Sequence, residues 1–367
     1  MRGRVVAMAG LLGLLGGYLV GAMTASAVGA FGAPVGVQSC DGHTDAAMSV
    51  DGTMRGFGTC AAPPTAPIPP NNPYGPVTFF RLSPTGAVYD QATPYVGVVL
   101  AVAWDGSGST YVVYANHNVL YIGKRLEASG AYATPTRLSL NASLSATIWP
   151  AALVATNGRW WVVWAENVAA RGYRLFQAHT LFSRQTRTQI TARPAGVNDE
   201  HPALGLNSGR VTLVWTRITG GRSALQIATS SGGAWTSRPL TAGGTHNDYS
   251  SVTVYGGVIY VVWLRDAQNA LFASNAGDGT FRSLVLGSDA TGDYPPPATA
   301  GPTVAVSGTN VFVTWTGGPY SAHVAEREGG VWSNLEPVGD HTLADRIVAQ
   351  GTKARLLYNN YEVIKQT

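Results

Sequence analysis

The chain has 367 residues, enough for one large repeat domain with a full core, and carries a formal charge of +4 with only 12% charged residues. Lysine occurs only at Lys124, Lys353 and Lys365, and no basic cluster forms, so composition argues against binding to nucleic acid or to an anionic membrane. Glycine is abundant at 45 residues, as many short strands joined by tight turns require.

The first residues have the anatomy of a secretory leader. Arg2 and Arg4 precede an apolar stretch from Val5 to about Met23, and Ala25-Ser26-Ala27 offers a small-residue cleavage site. The expected organisation is therefore a signal peptide over 1–27 and an exported chain with no stable membrane insertion after cleavage. An uncleaved anchor at the cell surface is the alternative, because the apolar stretch approaches spanning length. Residues 28–76 read as a Gly/Ala-rich segment followed by a proline-dominated linker (AAPPTAPIPPNNPYGP over 61–76). In an exported protein Cys40 and Cys60 are expected to form a disulfide. A lipid-modified Cys40 after Val37-Gln38-Ser39 is the alternative. Asn141-Ala142-Ser143 is a glycosylation sequon.

From residue 77 to the end the chain repeats. Apolar, β-branched runs end in an aromatic at Tyr114, Trp164, Trp215, Trp263, Trp315 and Tyr358, at steps of 50, 51, 48, 52 and 43 residues. Within each period a short strand, a Gly/Asn turn, the aromatic-ended strand, a polar loop, a third strand, a second Gly-rich turn and an outer strand follow in order. Asn157-Gly158, Asn207-Ser208-Gly209, Gly256-Gly257 and Gly329-Gly330 supply hairpin chemistry. Both faces of the strands are apolar, so neighbours must cover both. The expectation is an all-β, six-bladed β-propeller of four-stranded antiparallel blades over 77–367, with five blades as the alternative. The hairpin VTFFRLSPTGAVYDQ (77–91) would complete the truncated last repeat and close the ring through the two termini.

The turns between third and fourth strands read Ser230-Ser231-Gly232-Gly233-Ala234-Trp235, Ala276-Gly277-Asp278-Gly279-Thr280-Phe281 and Glu328-Gly329-Gly330-Val331-Trp332. These resemble the Asp boxes of the sialidase-like (BNR-repeat) propellers, with the glycines and aromatic kept and the acid retained only in the middle one. That resemblance implies the propeller fold and, as one possible activity, an exo-acting glycoside hydrolase of sialidase type. Such an enzyme needs three arginines around a substrate carboxylate, a Tyr–Glu pair and an aspartate. Phe80-Arg81-Leu82-Ser83-Pro84 departs by one inserted residue from the family's arginine motif, and Tyr361 and Glu362 are adjacent, facing opposite ways on a strand.

In such a ring the loops after the aromatics and the connections between blades share one face. The connections carry Asn198-Asp199-Glu200-His201, His246-Asn247-Asp248-Tyr249, Gly292-Asp293-Tyr294 and Asp340-His341; Arg217 and Arg265 occupy equivalent loop positions. Carboxylates, imidazoles and arginines gathered there suit sugar hydroxyls, and the carboxylates alone would suit a Ca2+ ion. Asp and Asn also turn a chain before a strand without any functional purpose. Trp149 is the candidate stacking platform. The expected ligand-binding set is Asp199, Glu200, His201, Arg217, His246, Asp248, Tyr249, Arg265, Asp293, Tyr294 and Trp149, on a monomer binding a glycan or surface polymer. A structural propeller that joins larger assemblies is a further alternative. No Gly-x-Ser-x-Gly, His-Glu-x-x-His or phosphate-loop motif is present.

Overall fold

The computed structural model describes residues 35–36, 44–49, 51–59, 75–85, 87–116, 119–139, 151–168, 172–181, 185–192, 194–232, 234–276, 280–287, 301–317, 321–338, 344–350, 353–358 and 361–364. The leader, Cys40, Cys60, the proline-rich linker, Trp149, the sequon, Asp293, Tyr294 and Asp340-His341 all lie outside them.

The described chain is all β, in seven four-stranded antiparallel sheets. Blade I holds β2 (Thr44–Met48), β3 (Met54–Thr59), β4 (Pro76–Leu82) and β5 (Val88–Val96). Blade II holds β6 (Val98–Trp104), β7 (Ser109–Asn116), β8 (Val119–Leu126) and β9 (Thr136–Arg137). Blade III holds β10 (Ala151–Thr156), β11 (Arg159–Val168), β12 (Gly172–His179) and β13 (Gln185–Gln189). Blade IV is β14 (Val197–Asn207), β15 (Arg210–Thr219), β16 (Arg222–Ser230) and β17 (Thr236–Pro239). Blade V is β18 (Asn247–Tyr255), β19 (Val258–Arg265), β20 (Asn269–Ser274) and β21 (Arg282–Gly287). Blade VI is β22 (Thr303–Ser307), β23 (Asn310–Gly317), β24 (Ser321–Glu328) and β25 (Val331–Val338). Blade VII takes β26 (Ala344–Gln350), β27 (Lys353–Tyr358) and β28 (Tyr361–Ile364) from the C-terminus, with β1 (Val35–Gly36) as its fourth strand.

The propeller class is the one the repeats predict, and each aromatic-ended repeat forms one blade. The tally rises from six to seven because the hairpin 77–91 does not complete the last repeat. Its strand β4 pairs with β3 and β5 pairs with β4, and together with β2 they make a blade of their own. The propeller therefore begins well before residue 77. The two chain ends do share a sheet, but through Val35 opposite Glu362 and Gly36 opposite Tyr361.

Seven apolar clusters fill the seven junctions between successive blades. Both faces of a strand are used: Trp164 packs toward blade II, while Trp161 and Val163 of the same strand pack toward blade IV. The last junction joins Val348 and Leu357 of blade VII to Ala46, Met54, Phe80 and Leu82 of blade I, so the ring is closed by packing. An ion pair from Arg346 to Asp45 (3.4 Å) crosses the same junction. Tyr114, Trp164, Trp215, Trp263 and Trp315 are all buried against the preceding blade, each contributing about 1.5–3 kcal/mol by burial. The Asp-box-like aromatics do the same from the rim. Trp235 meets Trp161 edge-on and bonds Gln177 (2.9 Å), and Trp332 meets Phe272 edge-on. His179 and His323 are likewise packed, the first tilted against Trp161 and the second stacked on Trp315.

Close approach explains one glycine. A Cβ on Gly287, at the outer edge of blade V, would stand 2.7 Å from the ring of Trp315 in blade VI. The hairpin turns Asn157-Gly158, Ser208-Gly209, Gly256-Gly257 and Gly329-Gly330 have positive φ at both residues, the geometry that lets a two-residue loop follow strand twist.

Candidate functional site

Two neighbouring blades carry the polar connections, and in both a β-bulge aims them. β14 runs in register with β15 through Asp199↔Arg217 and Glu200↔Thr216, then slips before Ala203. His201 takes the extra position at φ 48, and Pro202, with no N–H to pair, suits the interruption. β18 repeats the device: Asn247↔Arg265 and Asp248↔Leu264, then a slip before Ser251, with Tyr249 at φ 51. Register thus makes Asp199 equivalent to Asn247, Glu200 to Asp248, His201 to Tyr249 and Arg217 to Arg265.

The expected residues separate into three groups. In the first, Asp199 is fully buried; its Oδ1 accepts from the indole N–H of Trp215 (2.8 Å) and from Nε of Arg217 (2.8 Å). Arg217 also donates to Gln226 Oε1 (3.2 Å) and lies over the Trp215 ring. These two charges neutralise each other inside the protein. A related pair in blade III joins Glu166, which accepts from Trp164, to Arg187 at 2.8 Å. Arg187 and Arg217 are therefore committed internally. Arg81 stacks on Tyr89 on the third strand of blade I, and Tyr361 and Glu362 sit on the third strand of blade VII. Among the described residues no arginine trio with an adjoining Tyr–Glu pair is assembled.

The second group joins blades IV and V. His201 Nδ1 lies 2.5 Å from Asp248 Oδ1, and its ring stacks on Tyr249 at 4.5 Å. Asp248 also accepts from Thr216 Oγ1 (2.7 Å) and from the Tyr249 N–H (2.8 Å). Burial pushes the Asp248 carboxyl up, but these hydrogen bonds and the His201 charge outweigh it and hold it below the usual carboxylate value. Glu200 is pushed the other way, to about 7: burial is the main cause, the Asp248 and Asp199 charges add to it, and His201 opposes them. Burial and the Asp248 and Glu200 charges raise the Tyr249 phenol. A cavity of about 350 Å³ opens here, lined by Ser223, His246, Asp248, Tyr249, Leu264, Asp266 and Ala267. Asp266 and Ala267 both have φ 53, and the backbones of Asp266 and His246 bond across the mouth, with Asp266 Oδ1 accepting the His246 N–H (3.0 Å). Of the six described non-glycine residues with positive φ, three (Tyr249, Asp266 and Ala267) line this cavity and a fourth, His201, bonds its Asp248; the other two, Asn157 and Ser208, are ordinary hairpin positions.

The third group is Arg265, which stands apart from Arg217 in a separate cavity of about 260 Å³ beside Trp263 and Asn247. The sequence reading missed Thr216, Ser223 and Ala267. Strand register, invisible without the bulges, is what brings them in. The central channel expected of a propeller is a space of about 130 Å³ lined by the inner strands of all seven blades, including Asp45, His201, Tyr249 and Arg346. Burial pushes the Asp45 carboxyl up, against the Arg346 charge and the Val102 and Ala46 N–H groups. Among the described residues no group of three or more His, Cys, Asp and Glu side chains could hold a metal ion.

The chain is a β-propeller protein. No family model matches it, and no curated protein matches it. It is similar to solved structures of the fucose-specific lectin from Aleuria aurantia. The mercury-derivative form gives 11% identity and a TM-score of 0.50 over 81% of this chain and 96% of that one. A mutant form in complex with α-methyl-L-fucoside gives 11% and 0.50 over 81% and 95%. A polysaccharide lyase, the PL25 ulvan lyase, gives 12% and 0.48 over 70% and 78%.

Proposed function

We propose that this is an exported propeller that binds a glycan at the junction of blades IV and V. The observation carrying this reading is the cavity in which a hydroxyl (Ser223), an imidazole (His246), two carboxylates (Asp248, Asp266) and a tyrosine (Tyr249) converge over an apolar wall of Leu264 and Ala267. A sugar presents that same mixture, hydroxyls around an apolar ring. Its hydroxyls would donate to Asp248 and Asp266 and accept from His246 and Tyr249. Asp248 is already fixed by three donors and needs no reordering to receive a ligand. The propeller fold shared with a fucose lectin is compatible with this reading, and the cavity is what supports it. A glycan array on the mature chain, followed by calorimetry on the strongest hit, tests it. Binding should weaken about tenfold or more in Asp248→Ala. Absence of any hit, or unchanged affinity in the variant, would refute it.

A second reading, an exo-acting glycoside hydrolase, draws on one observation: Glu200 and Asp248 have their proton affinities driven apart, as an acid and a carboxylate partner would. Glu200 is only 4% exposed and does not line the cavity, which favours binding over hydrolysis. Fluorogenic glycosides, sialosides included, decide between the two; turnover abolished by Glu200→Gln would establish the enzyme.

A further inference from the structure

Blades IV and V share one register, and around the equivalent arginines two exchanges matter. In blade IV, Arg217 has two side-chain acceptors, Asp199 opposite it on the inner strand and Gln226 on the third strand. In blade V the position of Asp199 is Asn247, and that of Gln226, paired with the aromatic, is Leu271. The indole bond survives the first exchange, Trp263 Nε1 donating to Asn247 Oδ1 at 2.9 Å. The Asn247 amide then donates to Thr245 and not to an acid. Arg265, the counterpart of Arg217, has therefore lost both acceptors, and among the described residues it has no ion pair. A cavity of about 260 Å³ has opened where the internal pair would be, with Trp263, Leu271 and Phe281 as apolar walls and Ser283 and Thr241 as hydroxyls.

We infer that this cavity takes the carboxylate of an acidic sugar, the ligand's charge standing where blade IV keeps its own aspartate. A guanidinium fork pairs with a carboxylate through parallel N–H bonds, and half-burial beside an indole strengthens the pair over one in open water. A half-buried arginine with no anion beside it leaves its N–H donors facing the cavity, where a ligand carboxylate can accept them. Only the sugar scaffold rests on the glycan reading above; the preference for a carboxylate stands on the comparison of the two blades.

The test is calorimetry on the full mature chain with methyl β-glucuronide, methyl β-glucoside and acetate. Wild-type chain, Arg265→Gln and Asn247→Asp are compared, with circular dichroism confirming that each variant folds. Asn247→Asp rebuilds the internal pair of blade IV, so it should fold at least as well and lose the glucuronide. The expected result is glucuronide binding about tenfold or more tighter than glucoside, abolished in both variants. Equal affinity for the two glycosides, or glucuronide binding untouched by Asn247→Asp, overturns the inference. The two readings fail separately. Neutral glycans bound through Asp248 without a carboxylate preference leave only the glycan reading. Glucuronide and acetate bound through Arg265 with no neutral ligand leave only this one.

Discussion

Two exchanges, Asp199 for Asn247 and Gln226 for Leu271, separate a closed internal ion pair in blade IV from an open cavity in blade V. Asp199 is buried with Arg217 and Trp215 as its partners. Asp199→Ala would strand a largely buried guanidinium, and chemical denaturation should show a loss of about 3–5 kcal/mol. Glu200 makes a pH prediction. Its folded value, about 7, lies above the ordinary 4.5, so the folded chain holds this proton more tightly than the unfolded chain does. Its contribution is complete below about pH 4.5 and is lost as pH rises through about 7. Glu200→Gln should therefore raise the thermal midpoint at pH 8 and leave it nearly unchanged at pH 4.5; an equal shift at both values would contradict the assignment. Asp248, held low, works in the opposite sense: its contribution is lost in acid, as pH falls through its folded value. The polar types of this site were legible in the sequence as recurring Asp, Glu, His and Tyr before each inner strand. Their partners were not, because His201 and Tyr249 reach them only through bulges that slip the register.

Each strand element serves two junctions at once, and small residues mark where it can. Gly287 is one such case, since Trp315 of the next blade occupies the space of its missing side chain. Gly287→Ala should destabilise the chain by about 1–3 kcal/mol through overpacking, measured as a drop in denaturation midpoint with unchanged slope. The aromatic-ended strands and their hairpin turns could be read directly from residue type and spacing, because burial on both faces leaves a continuous apolar run. The two inner strands of blade I could not. β2 and β3 (TDAAM and MRGFGT) are short and end in no aromatic, β3 carries two glycines, and the proline-rich stretch after Cys60 separates β3 in sequence from its partner β4.

For the molecule as a whole, closure is the property that the repeats alone did not settle. A chain with six aromatic-ended periods makes seven blades because the seventh comes from residues ahead of the first period, and the ring shuts where Val348 and Leu357 meet Met54 and Phe80. Ending the chain before Ala344 would expose the apolar sides of blades VI and I together; light scattering should then show aggregation where the full chain is a single species. The closed ring is also what holds blades IV and V at the spacing their shared cavity needs, and glycan recognition at that cavity is the central claim. Its most direct measurement is a crystal structure of the mature chain soaked with the best ligand from a glycan array. The account predicts sugar density in contact with Ser223, His246, Asp248 and Tyr249. Sugar bound on the opposite face, among the hairpin turns of Asn157-Gly158 and Gly256-Gly257, would contradict it.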